Sequence, residues 1–237
     1  MKFGLFTDVH YTLKPHENSP RRQTLGMQRI REAFAAFEKA GADAVLCTGD
    51  LVDYNYDRAM TRGFFDEALS FIRSAGLKFI FVPGNHDYAE LRAQDFIARG
   101  LPLPPYTVDF PGLRIVALDS NFDAKGNRSD QSDAPWYETK LPDWELGFLK
   151  KALDETPDRA IVMLHQDLDD AVEQHHILFN AADARRIIEE SGKVPLVIEG
   201  HYHSGADHVI GGVRYLTQQA MCDGDENHFT IIDTDEI

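Results

Sequence analysis

The chain has 237 residues, of which 43% are hydrophobic and 27% charged, and this composition is typical of a globular protein with one domain or at most two. Its formal net charge of −15 would repel polyanions, so long nucleic acid is not expected as a substrate. Two cysteines, Cys47 and Cys222, provide no disulfide framework. No apolar run approaches the length that crosses a membrane, and we expect no membrane partner.

The first segment, Lys2–Phe6, predicts a strand. It does not have the basic and then apolar pattern of a secretory leader, so we expect a cytoplasmic protein.

Strand and helix patterns alternate through the first part of the chain. Apolar residues at helical spacing predict helices at 22–39 and 58–74, and each pattern is followed by a glycine, Gly41 or Gly76. Short apolar runs predict further strands at 44–48, where Cys47 should be buried, and at 78–82. This alternation favours parallel strands joined by crossover helices.

The pattern changes after Ala89. A hairpin is predicted at 106–110 and 113–118, followed by a polar, irregular segment at 120–140. Helices are predicted at 144–153 and 181–190, with a strand at 160–164 between them. Strands at 194–199, 208–210, 213–217 and 228–233 are expected to complete a second sheet. We therefore predict a single α/β domain over 1–237, with two mixed sheets face to face and helices outside.

Five polar motifs follow predicted strands directly, at the ends where open α/β sheets place their ligand sites. Alternate residues that leave a strand point the same way, so both members of an Asp-x-His or His-x-His pair can face one ion. The motifs are Asp8-Val9-His10, Gly49-Asp50-Leu51-Val52-Asp53, Gly84-Asn85-His86-Asp87, the single His165, and Gly200-His201-Tyr202-His203.

These side chains are carboxylates, imidazoles and one amide, a set that suits Mn²⁺, Fe or Zn²⁺. Taken alone, each motif has a structural explanation; His165, for example, could be a hydrogen-bonded core residue. Five motifs in order, each at a strand end, indicate instead a site for two adjacent divalent cations. Such a pair clamps the attacking and the leaving oxygen of a phosphoryl displacement.

The order of motifs resembles that of the calcineurin-like metallophosphoesterases, whose pattern is D-x-H, G-D-x-x-D, G-N-H-[DE], H and G-H-x-H. Every element is present between Asp8 and His203. The resemblance implies a four-layered αββα sandwich and two divalent metal ions, Mn²⁺, Fe²⁺/Fe³⁺ or Zn²⁺. It also implies hydrolysis of a phosphoester by in-line attack of metal-bound hydroxide.

The resemblance also implies a role for each motif residue. His86 would be a general acid or a donor to a phosphoryl oxygen, Asp87 would orient it, Asp53 would support the ligands, and Asn85 and His86 would contact the substrate. The first metal would be held by Asp8, His10, Asp50 and His203, and the second by Asp50, Asn85, His165 and His201.

The chain departs from the Ser/Thr protein phosphatases of this superfamily, because Tyr54-Asn55 follows Asp53 and Asp87 follows His86. We therefore expect a small nucleotide-like substrate with a phosphodiester or a pyrophosphate bond. A phosphomonoesterase and a non-catalytic metal-binding scaffold remain alternatives. The sequence leaves the oligomeric state open, a homodimer included.

Substrate selection is expected from the loops at 11–22, 121–140 and 166–180. Arg22 or its neighbour Arg21 could bind a phosphate, or either could be a solvated residue at the start of a helix. Trp136, Tyr137 or Tyr54 could stack on a base or pack under a loop.

Overall fold

Two mixed β-sheets face each other in the structure, a computed structural model that describes residues 1–17, 19–156 and 158–237. The strands are β1 (Lys2–Phe6), β2 (Ala44–Cys47), β3 (Lys78–Phe81), β4 (Tyr106–Phe110), β5 (Leu113–Ala117), β6 (Phe122–Asp123), β7 (Thr139–Lys140), β8 (Arg159–Met163), β9 (Leu196–Glu199), β10 (Ala206–Ile210), β11 (Val213–Thr217) and β12 (Thr230–Asp233). The α-helices are α1 (Gly26–Ala40), α2 (Arg58–Ser74), α3 (Asn85–Glu90), α4 (Ala93–Ala98), α5 (Asp143–Asp154) and α6 (Ala181–Ser191).

The first sheet has the order β12-β1-β2-β3, with β1, β2 and β3 parallel and β12 antiparallel to β1. The second sheet has the order β10-β11-β9-β8-β5-β4, and its four central strands are parallel. Because parallel neighbours carry their carboxyl ends to one edge, each sheet gathers several loop starts there.

Three apolar layers hold this arrangement together. Phe3 and Leu46 of the first sheet pack between the sheets with Ile115 and Ile198 of the second, and all four are fully buried. Helices α1 and α2 cover the outer face of the first sheet, and α5 and α6 cover that of the second. Burying each such side chain contributes about 1.5–3 kcal/mol. The layers confirm the predicted αββα sandwich.

The predicted helices and strands are mostly confirmed, with differences at their ends. The helix predicted at 22–39 begins with a 3₁₀ turn, Gln23–Leu25, before α1, and Gly41 ends α1 at φ 69°. Helix α2 has the predicted bounds, since the Asp57 carboxylate accepts hydrogen bonds from the amides of Ala59 and Met60.

Three features of the fold were not predicted. Strand β12 joins the first sheet rather than the second, so the prediction for the last strand was wrong in its partner. Helices α3 and α4 follow β3 and were missed, because each has only six residues. The segment at 120–140 contains the two-stranded β6–β7 ladder rather than only irregular chain.

No helix among the described residues is both long enough and apolar enough to cross a membrane.

Glu145 is an unusual buried acid in the first turn of α5. Its side chain is fully buried, and neither carboxylate oxygen makes a hydrogen bond of normal geometry to a described residue. A glutamate at this position normally reaches back to the amide of the N-cap residue, but here that residue is Pro142, which has no N–H. Burial, assisted by the charge of Asp119, raises the pKa of Glu145 to about 9.

We expect the Glu145→Gln variant to be more stable than the native protein at alkaline pH. The pKa is 4.5 in the unfolded chain and about 9 in the folded one, so folding retains a proton and native stability falls as pH rises through this interval. The glutamine variant does not lose stability in this way. As pH rises, its unfolding free energy should therefore exceed that of the native protein by an additional amount of up to about 1.4 kcal/mol per pH unit. Urea unfolding at pH 5.5, 7 and 8.5 measures it, and parallel profiles would contradict the assignment.

Candidate metal centre

The seven predicted ligand residues meet where the carboxyl ends of both sheets converge. Asp8 and His10 follow β1, Asp50 follows β2 and Asn85 begins α3 after β3. The second sheet supplies the remaining ligands, with His165 after β8 and His201 and His203 after β9. The site is therefore built at the junction of the two sheets.

Four of these side chains form a first cluster. The Nε2 atom of His10 lies 3.5 Å from Oδ1 of Asp8, 3.5 Å from Oδ2 of Asp50 and 3.2 Å from Nε2 of His203. The His203 Nε2 atom is 3.3 Å from the same Asp8 oxygen. Atoms that bind one ion at about 2.1 Å lie about 3.0–3.4 Å apart, so the spacing matches a common ion.

A second cluster shares Asp50 with the first. The Nε2 atom of His165 lies 3.5 Å from Oδ2 of Asp50 and 3.0 Å from Oδ1 of Asn85. His201 has a ligand atom within 4.8 Å of those of Asp50 and His165. The other Asp50 oxygen accepts a hydrogen bond from the His86 amide at 2.8 Å, which leaves Oδ2 as the shared atom.

The hydrogen bonding of the site fits two cations. Oδ1 of Asp8 and Nε2 of His201 are buried and make no hydrogen bond to any described residue. Buried polar atoms are normally paired, and an unpaired carboxylate oxygen is costly. One of these atoms lies in each cluster, so an ion in each would satisfy both. The residues present therefore fit a dinuclear centre.

The buried carboxylates of the site require positive charge close to them. Burial alone would raise the pKa of Asp8 and of Asp50, but the imidazoles around them hold both well below the ordinary range. Burial opposes charge on His165 and His203, yet their acidic neighbours raise the pKa to about 9 and about 12 respectively. The protons on the imidazoles thus do what divalent ions would do, and binding an ion would release them.

Backbone strain is concentrated at the same residues. Asp8, His10, Asp50 and His201 have φ angles of 50°, 47°, 50° and 62°, in the left-handed region that non-glycine residues rarely adopt. Such conformations persist where the surrounding structure enforces them, often at functional sites. Gly84 is needed for space, because a Cβ there would lie 2.0 Å from the Asp50 carboxylate.

Groups behind the ligands fix their orientation. The Nδ1 atom of His165 lies 2.7 Å from the carbonyl oxygen of Thr48, and that of His203 lies 3.2 Å from Asp223 Oδ2. Each contact leaves Nε2 to face the centre. The sequence analysis missed Asp223, which lies 20 residues beyond the last motif in an acidic turn that resembles an ordinary solvated loop.

Asp53, not Asp87, contacts His86. The Nδ1 atom of His86 lies 2.6 Å from Oδ1 of Asp53. The Asp87 carboxylate instead accepts hydrogen bonds from the amides of Gly84 and Val52, at 2.9 and 3.2 Å. The predicted contact of Asp87 with His86 was wrong, because Asp87 turns inward to cap α3 while His86 turns toward the centre.

A cavity of about 320 Å³ opens over the two clusters. Arg21 lines it and places its NH1 atom 3.1 Å from Nδ1 of His10 and 3.4 Å from Oδ2 of Asp53. Arg22 was predicted as a substrate contact, but it does not line this cavity and pairs with the exposed Asp225 at 2.8 Å. Trp136 and His176 form another part of the wall, from two of the predicted selection loops.

Comparison with known proteins is consistent with this geometry. Residues 1–205 match the model of the calcineurin-like phosphoesterases, so the chain belongs to this family of metal-dependent phosphoester hydrolases. The family uses a dinuclear divalent metal centre, which the histidine and aspartate clusters fit. No functionally curated protein matches the chain.

Solved structures share the fold at low sequence identity. A dimetal phosphatase from Danio rerio is 16% identical with a TM-score of 0.81, over 97% of this chain and 91% of that one. A phosphopantetheinyl hydrolase from Mycobacterium tuberculosis is 13% identical with a TM-score of 0.52, over 91% and 88%. An archaeal phosphodiesterase is 14% identical with a TM-score of 0.50, over 100% and 95%.

We predict that Asp50→Asn lowers the metal content from about two ions per chain to less than one, because the variant loses the charge shared by both clusters. Elemental analysis after Mn²⁺ loading and desalting measures it. His86→Asn is the matched control: it changes a neighbouring side chain of the same cavity, and the metal content should stay at the native value. Equal metal content in the native protein and the Asp50 variant would contradict the shared role of Asp50.

Proposed function

We propose that the protein hydrolyses a phosphodiester or pyrophosphate bond of a small nucleotide-like molecule. The observation that carries this proposal is the position of Asp50 Oδ2, 3.5 Å from Nε2 of both His10 and His165, which joins two ligand clusters in one centre. Bound divalent ions would stabilise charge on the phosphoryl group and lower the pKa of a water molecule. The donor atoms are nitrogen and oxygen, which suits Mn²⁺, Fe or Zn²⁺.

His86 is placed to assist the leaving group. Its Nδ1 atom is held by Asp53, so Nε2 is the nitrogen that can present a proton to the cavity. In the hydrolysis, an oxygen from water bonds to phosphorus and the bond to the leaving oxygen breaks. The proton from His86 ends on that leaving oxygen, and the imidazole regains a proton that the water molecule releases. Asp53 steadies the imidazole while its charge changes.

Arg21 supplies positive charge close to His86, since both side chains contact the carboxylate of Asp53. It is the only arginine or lysine among the residues that line the cavity. A single guanidinium suits the one negative charge of a diester, and its pairing with Asp53 fixes its place. The overall charge of −15 discourages long polyanions, so a small substrate is favoured.

Chelator-stripped protein should gain activity with Mn²⁺ and cleave bis-(p-nitrophenyl) phosphate faster than p-nitrophenyl phosphate. Absorbance assays of the two esters, with and without metal, measure this. A preference for the monoester would instead indicate a phosphatase, and metal-loaded protein without activity on any ester would indicate a scaffold.

His86→Asn tests the proton donor in the same assays. We expect kcat to fall by about 10²–10⁴-fold for a cyclic nucleotide whose alkoxide leaving group needs a proton. The loss should be smaller for the nitrophenyl ester, because nitrophenolate leaves without one. Equal losses for both leaving groups would contradict the assignment.

Arg21→Ala should raise KM for the diester by about 10- to 150-fold, since a charge-assisted hydrogen bond contributes about 1.5–3 kcal/mol. Arg22→Ala is the matched control, because this neighbouring arginine pairs with Asp225 outside the cavity and KM should not change. Steady-state kinetics at fixed ionic strength measure both, with metal content checked in parallel. Equal effects of the two variants would indicate a general charge effect rather than a phosphate contact.

A further inference from the structure

An uncharged cleft adjoins the metal centre. It has a volume of about 220 Å³ and shares Asn85, His86 and Trp136 with the main cavity. Tyr54 and two alanine methyl groups line the rest, together with Ser129. None of its lining residues is a lysine, arginine, aspartate or glutamate, although charged residues make up 27% of the chain. A phosphate would find no lysine or arginine there, whereas an apolar group would be accommodated.

The aromatic side chains of this cleft are held in place by their neighbours. The ring of Tyr54 lies 4.5 Å from that of His16 and 5.5 Å from that of His86, between ring centres. The Trp136 ring lies 5.1 Å from that of His201 and 5.4 Å from that of Tyr137. Trp136 nevertheless remains 43% exposed. Rings fixed in this way offer flat apolar surface at a small entropic cost.

The position of His86 shows which part of the substrate would enter the cleft. A residue that protonates the leaving oxygen lies between the phosphoryl group and the rest of the leaving group. His86 lines both the cavity over the ligand clusters and the cleft. A group that enters the cleft therefore belongs to the leaving side.

We propose that the cleft between Tyr54 and Trp136 binds a planar aromatic ring of the leaving group. The substrate class is then a phosphate ester of a nucleoside or of an aromatic alcohol. This assignment rests on the proposed hydrolase function, and it adds the chemistry of the group that departs.

Kinetics with two synthetic diesters test the proposal. Methyl p-nitrophenyl phosphate carries one ring, which leaves, and bis-(p-nitrophenyl) phosphate carries a second ring that stays. For Trp136→Leu we expect KM to rise about tenfold for both esters, as expected from the loss of about 1.4 kcal/mol of ring contact, with little change in kcat. Tyr54→Leu should act in the same direction. Trp144→Leu is the control, since this exposed tryptophan packs on Phe122 and lies outside the cleft.

Two kinetic outcomes would overturn the assignment. If KM rose only for the ester with two rings, the cleft would bind the ring that stays on the phosphate and not the ring that leaves. If KM stayed the same for both esters in both cleft variants, the cleft would have no part in substrate binding.

Binding can be followed without turnover. The chain has two tryptophans, so Trp144→Phe leaves Trp136 as the only tryptophan reporter. We expect adenosine monophosphate to quench its fluorescence saturably, in Mn²⁺-loaded and in chelator-treated protein, and ribose 5-phosphate to have no effect. Equal responses to the two would overturn the proposal.

The same titration separates the two sources of the ring. Tighter binding of adenosine monophosphate than of phenyl phosphate would support a nucleoside, and the reverse a simple aromatic alcohol. If the native protein cleaved no ester with Mn²⁺, the proposed function would fail. Quenching by adenosine monophosphate would then still show that the cleft binds a ring.

Discussion

The structure depends on keeping two buried carboxylates ionised side by side. Asp8 and Asp50 are almost completely buried, where like charges repel strongly and solvent cannot screen them. Only positive charge at short range can offset this repulsion. The fold places four imidazoles around the two carboxylates. The left-handed φ angles of both aspartates and the close packing of Gly84 against Asp50 are consequences of the same requirement. The strain is maintained because the core between the sheets fixes every strand end.

The groups that orient two of the histidine ligands lie in or near the first sheet. A carbonyl oxygen at the end of β2 orients His165, which comes from the second sheet. Asp223, close to where the chain returns to the first sheet, orients His203. The first sheet and the segment leading back to it therefore position two ligands that the second sheet carries, so these ligands are oriented only when the two sheets pack together. Because of these contacts, assembly of the site depends on assembly of the fold.

The sequence predicted which side chains meet at the site better than it predicted their hydrogen-bond partners, for a physical reason. Ligands occur as short motifs next to strands, where alternation along the chain fixes their direction. How separate loops pack decides that Asp53 contacts His86. It also decides that Arg21 lines the cavity while Arg22 pairs with Asp225 outside it. No local sequence pattern encodes this packing. The same limit applies to β12. Its residues indicate a strand, but its pairing with β1, more than 220 residues away in the chain, is set by tertiary packing. The four longer helices and the layer order follow from periodicity and are confirmed.

In the proposed function, chemistry and substrate choice are carried by different parts of the molecule. The ligand residues follow strands whose ends are fixed by buried apolar layers, whereas Tyr54 and Trp136 come from connecting segments. Segments of this kind can change their side chains without disturbing a strand register. His86 stands at the boundary, since its amide holds Asp50 and its ring lines the cleft. In this proposal, replacement of Tyr54 changes which alcohol departs and leaves the ligand clusters intact, because Tyr54 lines the cleft and not the cavity over the clusters.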